Sequence, residues 1–269
     1  MSALIELFNY DFFQKAFLAA VFASISCGII GSYIVSRRIV FISGGITHAS
    51  FGGIGLAFLL GFNPLLGAVL FAVAAALGIQ FFTKVAEIRE DSSIAIWWSL
   101  GMALGIIFVF LTPGYTPNLM SYLFGNILTV TSSELWWMLT LNLVITGFFA
   151  LFFQKILYIA FDEEFARTAG LPVQLFNYLI IVLIALTVVL NIRVVGIILI
   201  LSLLTIPQAS ANLFTKDFKA LLILSSVFAF VGTIAGLFIS YFLDIPSGAA
   251  IIFTLVVMFA ILRIGKALV

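Results

Sequence analysis

Nine stretches of this sequence are long and apolar enough to cross a lipid bilayer: 16–35, 39–60, 64–82, 94–111, 134–153, 175–191, 194–213, 219–242 and 247–264. A helix needs about twenty apolar residues to traverse the hydrocarbon. Hydrocarbon admits only helices or closed barrels, because every backbone polar group must find its partner within the protein. Barrel strands alternate apolar with polar residues, whereas these runs are apolar throughout. With 64% apolar and 9% charged residues among 269 positions, the chain lacks the polar surface of a soluble domain. The expected fold is all-α, a polytopic transmembrane bundle of about nine spans forming one domain over 1–269. Eight spans are the alternative, since only Asn191, Ile192 and Arg193 separate the sixth run from the seventh.

The charges orient the bundle. With the N-terminus outside and the C-terminus cytoplasmic, ten of the twelve basic residues fall on the inside and only Lys15 and Arg193 outside. Glu6 and Asp11 precede Lys15, unlike the basic start of a cleaved signal, so the first run is expected to be retained. Residues 1–15 are expected to form an interfacial segment. The outer loop at 112–133 carries no Lys or Arg, and 122–130 within it reads as a short re-entrant or interfacial helix. Cys27 is the only cysteine, which excludes an intrachain disulfide and leaves a small buried packing residue. HExxH, GxSxG and a phosphate-binding Gly-Lys-Ser/Thr loop are all missing from the sequence. The chain therefore reads as a non-enzyme, and any ATP hydrolysis belongs to another polypeptide.

The single histidine, His48, lies inside the second run. Ionisable groups at membrane depth usually face a bundle interior or an aqueous route. On a helix, Gly44, His48, Gly52 and Gly55 share one face, a stripe with little bulk except one metal-capable ligand. Two readings stand: a pathway lining or a tight helix seam, with a hydrogen-bonded structural histidine as the competing role for His48. The pairs Gly28/Gly31, Gly101/Gly105 and Gly232/Gly236 read as close helix packing.

The longest inside loop, 154–174, contains FDEEFARTAGL at 161–171, which has the form of a short capped helix. Asp162 can cap it, Glu163 and Glu164 suit its first turn, Gly170 can end it, and Phe165 and Leu171 offer an apolar face. A solvated connector and a lever docking into a partner both fit that pattern.

The same segment resembles the coupling-helix motif FDPEFARALGL of permease subunits in zinc/manganese/iron(II)-type ABC importers. Further segments follow that family in order: FISGGITHASFGG at 41–53, REDSSIAI at 89–96, YLFGNILTV at 122–130, VGIILILSLLTIPQASA at 195–211 and LDIPSGAAI at 243–251. The resemblance implies a homodimeric permease in a bacterial-type inner membrane, served by two cytoplasmic ATPase subunits and an extracytoplasmic metal-binding protein. No nucleic acid is expected among its partners. No cofactor would be bound permanently. The substrate would be a divalent cation, zinc first and then manganese or iron(II), moved by alternating access, with ATP on the partner. Phe161, Asp162, Glu163, Glu164, Phe165, Ala166, Arg167, Gly170 and Leu171 would couple to the ATPase.

The family's second-span histidine carries over onto His48, but the acid four residues earlier is Gly44 here. A dication leaving water needs its shell replaced. Besides His48 only neutral oxygens are at hand: Thr47 and Gln208 as the named candidates, with Ser43, Ser50, Thr205 and Ser210 nearby in sequence. Gln208 has an interhelical hydrogen bond as its competing role, and Glu134 and Asp244 would supply charge at an outer rim. An ABC permease for a metal chelate or small organic solute, and an ATP-independent channel or carrier, are the alternative functions.

Overall fold

The computed structural model describes residues 9–113 and 127–268, and no strand occurs among them. In chain order the helices are α1 (Asp11–Ser36), α2 (Val40–Leu60), α3 (Pro64–Lys84), α4 (Glu90–Leu111), α5 (Ser132–Leu151), α6 (Phe153–Phe161), α7 (Glu163–Thr168), α8 (Val173–Val195), α9 (Ile197–Leu203), α10 (Ile206–Ala211), α11 (Phe218–Leu243) and α12 (Ser247–Ala267). Among the described residues, eight of them are long and apolar enough to span a membrane: α1 to α5, α8, α11 and α12.

The eight-span alternative is thus the one the structure takes, and the expected ninth span at 194–213 is broken. Asn191 and Ile192 are helical within α8, so no hairpin forms at 191–193; the chain turns instead at Gly196, whose φ of 82° suits only glycine readily. The broken segment comprises α9 and α10. Pro207 has no N–H to give the Leu203 carbonyl four residues back, and its ring crowds that carbonyl, so a straight helix cannot run through it. Residues 11–15 of the expected interfacial segment form the start of α1, where Lys15 pairs with Asp11 at 2.5 Å; residues 1–8 lie outside the described ones. Of the expected helix at 122–130, residues 122–126 likewise lie outside, and 127–129 make one 3₁₀ turn. Glu134 is tied into a capping box at the start of α5, its carboxylate accepting from the Thr131 backbone N–H at 2.8 Å.

The helices group into two compact units, 1–38 with 120–153 and 191–269, and 39–119 with 154–190. In the first, α1 packs against α5, α9, α10 and α11, and α11 against α12. Ring pairs Phe13–Phe238 and Phe17–Phe230, both 5.9 Å, and a Ser32–Ser225 hydroxyl contact of 3.1 Å show α1 and α11 running antiparallel. Glycines let backbones meet: a Cβ on Gly28 would stand 2.6 Å from Ser226 Cα, and one on Gly236 2.4 Å from Ile251 Cα. This register gathers Arg37, Arg38, Lys216 and Lys219 at one end of the unit, where the Lys266 ammonium donates to the Leu213 carbonyl. Lys15 sits at the other end, so basic residues gather at one end of the unit.

In the second unit α2 lies against both α3 and α4. Gly53 and Gly67 face each other, each Cβ position within 2.2 Å of the other's carbonyl oxygen; Gly55 meets Gly105, and Gly101 meets Ala49, in the same backbone-to-backbone way. Such approach maximises dispersion contact where lipid removes any hydrophobic drive. Gly53→Val should overpack the α2–α3 seam and cost about 1–3 kcal/mol, read as a lower thermal midpoint in detergent. Gly147→Ala on α5, where nothing lies within 4 Å of the new Cβ, should be neutral or mildly stabilising.

Candidate functional site

His48 sits on the face of α2 turned to α4. Its imidazole stacks on the Trp98 indole, centroids 4.2 Å apart and planes 7° from parallel. Two further members of the glycine stripe contact α4 as well: Gly52 approaches the Gly101 carbonyl and Gly55 the Gly105 backbone. The stripe is therefore a helix seam, and the glycines are what bring α4 close enough for Trp98 to cover the ring. Gly44 is buried. His48 itself is half-buried, and its Nδ1 is buried with no hydrogen-bond partner. Stacking covers a face of the imidazole and holds the ring in a fixed orientation. The sequence reading missed Trp98; the signal was the Trp97–Trp98 pair, whose first ring fills the space left by Gly78 on α3.

The neutral oxygens are engaged locally. The Thr47 hydroxyl donates to the Ser43 carbonyl at 2.6 Å and that of Ser50 to Thr47 at 2.6 Å, both buried. Among the described residues no three His, Cys, Asp or Glu side chains converge. Asp244 caps α11 in a left-handed conformation, φ 52°, and lines a cavity of about 530 Å³ with Tyr241 and Ser247.

Gln208, fully buried in the first unit, repairs the break between α9 and α10. Its Nε2 donates at 3.1 Å to the Leu203 carbonyl, the acceptor that Pro207 leaves unserved, and at 2.8 Å to the Cys27 carbonyl of α1. Gly31 makes room for it, since a Cβ there would lie 2.3 Å from Nε2. The interhelical role is thus realised by the amide nitrogen. The buried Oε1 accepts nothing among the described residues.

The segment 161–171 folds into α7 with both ends closed. Asp162 Oδ1 accepts from the Phe165 N–H at 2.8 Å. At the other end Gly170 takes φ 74°, its N–H donates to Arg167 and the Leu171 N–H to Ala166, a Schellman arrangement. Glu163 receives Arg167 at 2.8 Å and Lys84, from the last turn of α3, at 3.3 Å. The short helix is thereby clamped to a spanning helix of its own unit. Ala166 is buried, Phe165 lies edge-on to Tyr158 at 5.5 Å, and Phe161 and Phe165 remain 61% and 51% exposed. Asp162 and Glu163 therefore serve the segment's own shape, while Phe161, Glu164 and Phe165 face outward. The clamp to Lys84 was not visible in the sequence, 79 residues separating the partners.

Residues 9–265 match the ABC 3 transport family. The chain belongs to that family. It is 41% identical to a membrane protein of Synechocystis sp. (slr2045), over 94% of this chain and 90% of that one. It is 36% identical to the manganese transport system membrane protein MntC of Listeria monocytogenes, over 95% and 91%. The structure of PsaBC from Streptococcus pneumoniae in complex with Fab contains a chain that superposes with a TM-score of 0.84 at 32% identity, covering 96% of this chain and 95% of that one. As a member of the ABC 3 family with eight membrane-length helices, the chain is a transport component integral to a bacterial inner membrane.

If Gln208 substitutes for the N–H that Pro207 lacks, Gln208→Leu should cost about 1–3 kcal/mol. That cost should shrink in a Pro207→Ala background, where a backbone N–H serves Leu203. A double-mutant cycle on thermal unfolding should give a coupling of about 0.5–3 kcal/mol; additive effects would refute the repair.

Proposed function

We propose that the chain is the membrane subunit of an importer for a divalent transition-metal ion, working as a homodimer by alternating access. Two cytoplasmic ATPase subunits drive it, and an extracytoplasmic metal-binding protein supplies the ion. Manganese(II) is the first choice, ahead of zinc, the first expectation from sequence, and of iron(II). A relative named for manganese transport supports that order. The basic ends face the cytoplasm in this reading, which puts the start of α1 outside and the end of α12 inside.

One structural observation carries the nucleotide-driven mechanism: α7 is capped at both ends, tied to α3 through Glu163 and Lys84, and presents exposed Phe165 beside Phe161, exposed at the end of α6. A solvated connector needs neither clamp nor exposed rings. A rigid short helix tied to a spanning helix transmits a push, because packed elements move as bodies instead of deforming. The ion would then pass His48, whose ring plane is fixed by Trp98. A site of one neutral nitrogen and neutral oxygens holds a dication loosely, which favours release over storage.

Gly44, in place of the acid of the family pattern, favours a second reading, the same machine carrying a metal chelate or small solute. Uptake resolved by metal in cells separates the two. His48→Ala at normal expression should lower uptake of the cognate free ion at least about tenfold, and Gly44→Asp should change the order of preference among manganese, zinc and iron(II). Unchanged uptake in His48→Ala returns the histidine to a structural role, and ATPase stimulation by a chelate alone selects the second reading.

The coupling assignment has its own test. Phe165→Asp should abolish co-purification of the ATPase and transport together, with the thermal midpoint of the permease unchanged because the ring is exposed. Full ATPase association in Phe165→Asp would remove Phe165 from the coupling contact, and transport that persists without the ATPase would point to a channel or carrier.

A further inference from the structure

On the first unit α1 packs against both α5 and α11, and between those two helices lies an open groove of about 380 Å³. Its floor is Ile25 and Ile29 of α1, one turn apart; Phe149 of α5 forms one wall, and Ile223 and Val227 of α11 the other. Ile223 and Val227 are 59% and 48% exposed. The groove follows α11 from Lys219 to Val227, about 12 Å at the helical rise. Phe153 and the Lys219 side chain line one end, where the Phe153 ring lies 6.0 Å from that of Phe218.

A slot of hydrocarbon lined at one end by the side chain of an exposed lysine has a definite chemical complement. We propose that it binds one anionic glycerophospholipid, an acyl chain lying along Ile25, Ile29, Ile223 and Val227 and the phosphate on Lys219. The surroundings strengthen the assignment. Lys219 stands at the unit's basic end, with Lys216 three residues before it and Arg37 and Arg38 at the adjoining end of α1. The acid nearest in sequence, Asp217, is engaged in capping α11 through the Ala220 N–H at 2.7 Å. Basic pockets between spanning helices on the cation-rich side recognise anionic head groups. Lysine stems also lie along apolar surface while the charge reaches the interface.

Charge decides between this occupant and a second copy of the chain. A twofold contact through the groove would bring Lys219 toward the same residue of the partner, along with the rest of both basic rims, and like charges repel. A phospholipid brings the opposite charge and the apolar chain in one molecule.

The experiment uses the full chain, delipidated in detergent and titrated with phosphatidylglycerol or phosphatidylcholine of identical acyl chains, bound lipid being counted by native mass spectrometry. The parent should retain one phosphatidylglycerol about fivefold more tightly than phosphatidylcholine, the contribution of one basic residue near an anionic head group. Lys219→Ala should bring the two lipids to parity, Lys219→Arg should keep the preference, and Ile223→Trp, which fills the slot from an exposed position, should weaken both. Equal retention of the two lipids by the parent overturns the proposal, as does a preference that survives Lys219→Ala. Efficient disulfide linkage of two Ile223→Cys chains in vesicles also overturns it, assigning the groove to a second copy.

Discussion

A backbone carbonyl without a partner costs several kcal/mol in hydrocarbon, and closing each of them inside the chain shapes this protein more than any side-chain preference does. Long helices meet the requirement along most of the sequence. Where Pro207 opens it, the carbonyl of Leu203 is served by the Gln208 amide, which reaches Cys27 on a neighbouring helix at the same time. One side chain thereby closes a local defect and joins two helices. Gly31 is part of the same device, because only the absence of a side chain admits the amide.

Close approach is the second theme. Lipid tails are as apolar as leucine, so helices associate through surface fit and not through expulsion of water. The glycines of α2 bring it against backbone on both α3 and α4. That approach sets His48 under Trp98, and the placement of this imidazole is a consequence of glycine placement more than of polar contacts. The exposed ends of the structure follow a different logic, that of capped turns and charge pairs, as α7 shows with its Schellman turn and its clamp to Lys84.

Much of this was legible in the residues. Apolar runs of spanning length identified eight helices within a few residues, because composition over twenty positions outweighs local propensity in lipid. Asp162 and Gly170 predicted the ends of α7, since capping is decided within one turn. The small-residue pairs at 28/31, 101/105 and 232/236 predicted close packing. The segment 194–213 has the hydropathy of a continuous span; hydropathy does not register a missing N–H or a left-handed turn, and Gly196 and Pro207 were the marks of the break. Within 1–15, the apolar pattern of 11–15 suits an interfacial helix as well as the first turn of a spanning one, and it is the pairing of Phe13 with Phe238 that settles it.

By itself the sequence determined the solvent, the helical class, the spans and the short capped segment, all of which follow from composition and from neighbours within a turn. It could not say that His48 stacks on Trp98, that Glu163 holds Lys84, or that Gln208 serves two helices, for these join residues tens to hundreds of positions apart. Tertiary structure decided those pairings. Without a hydrophobic drive between helices, what meets what depends on the fit of whole surfaces, and a fit of that kind is a property of the packed chain that no single stretch of sequence contains.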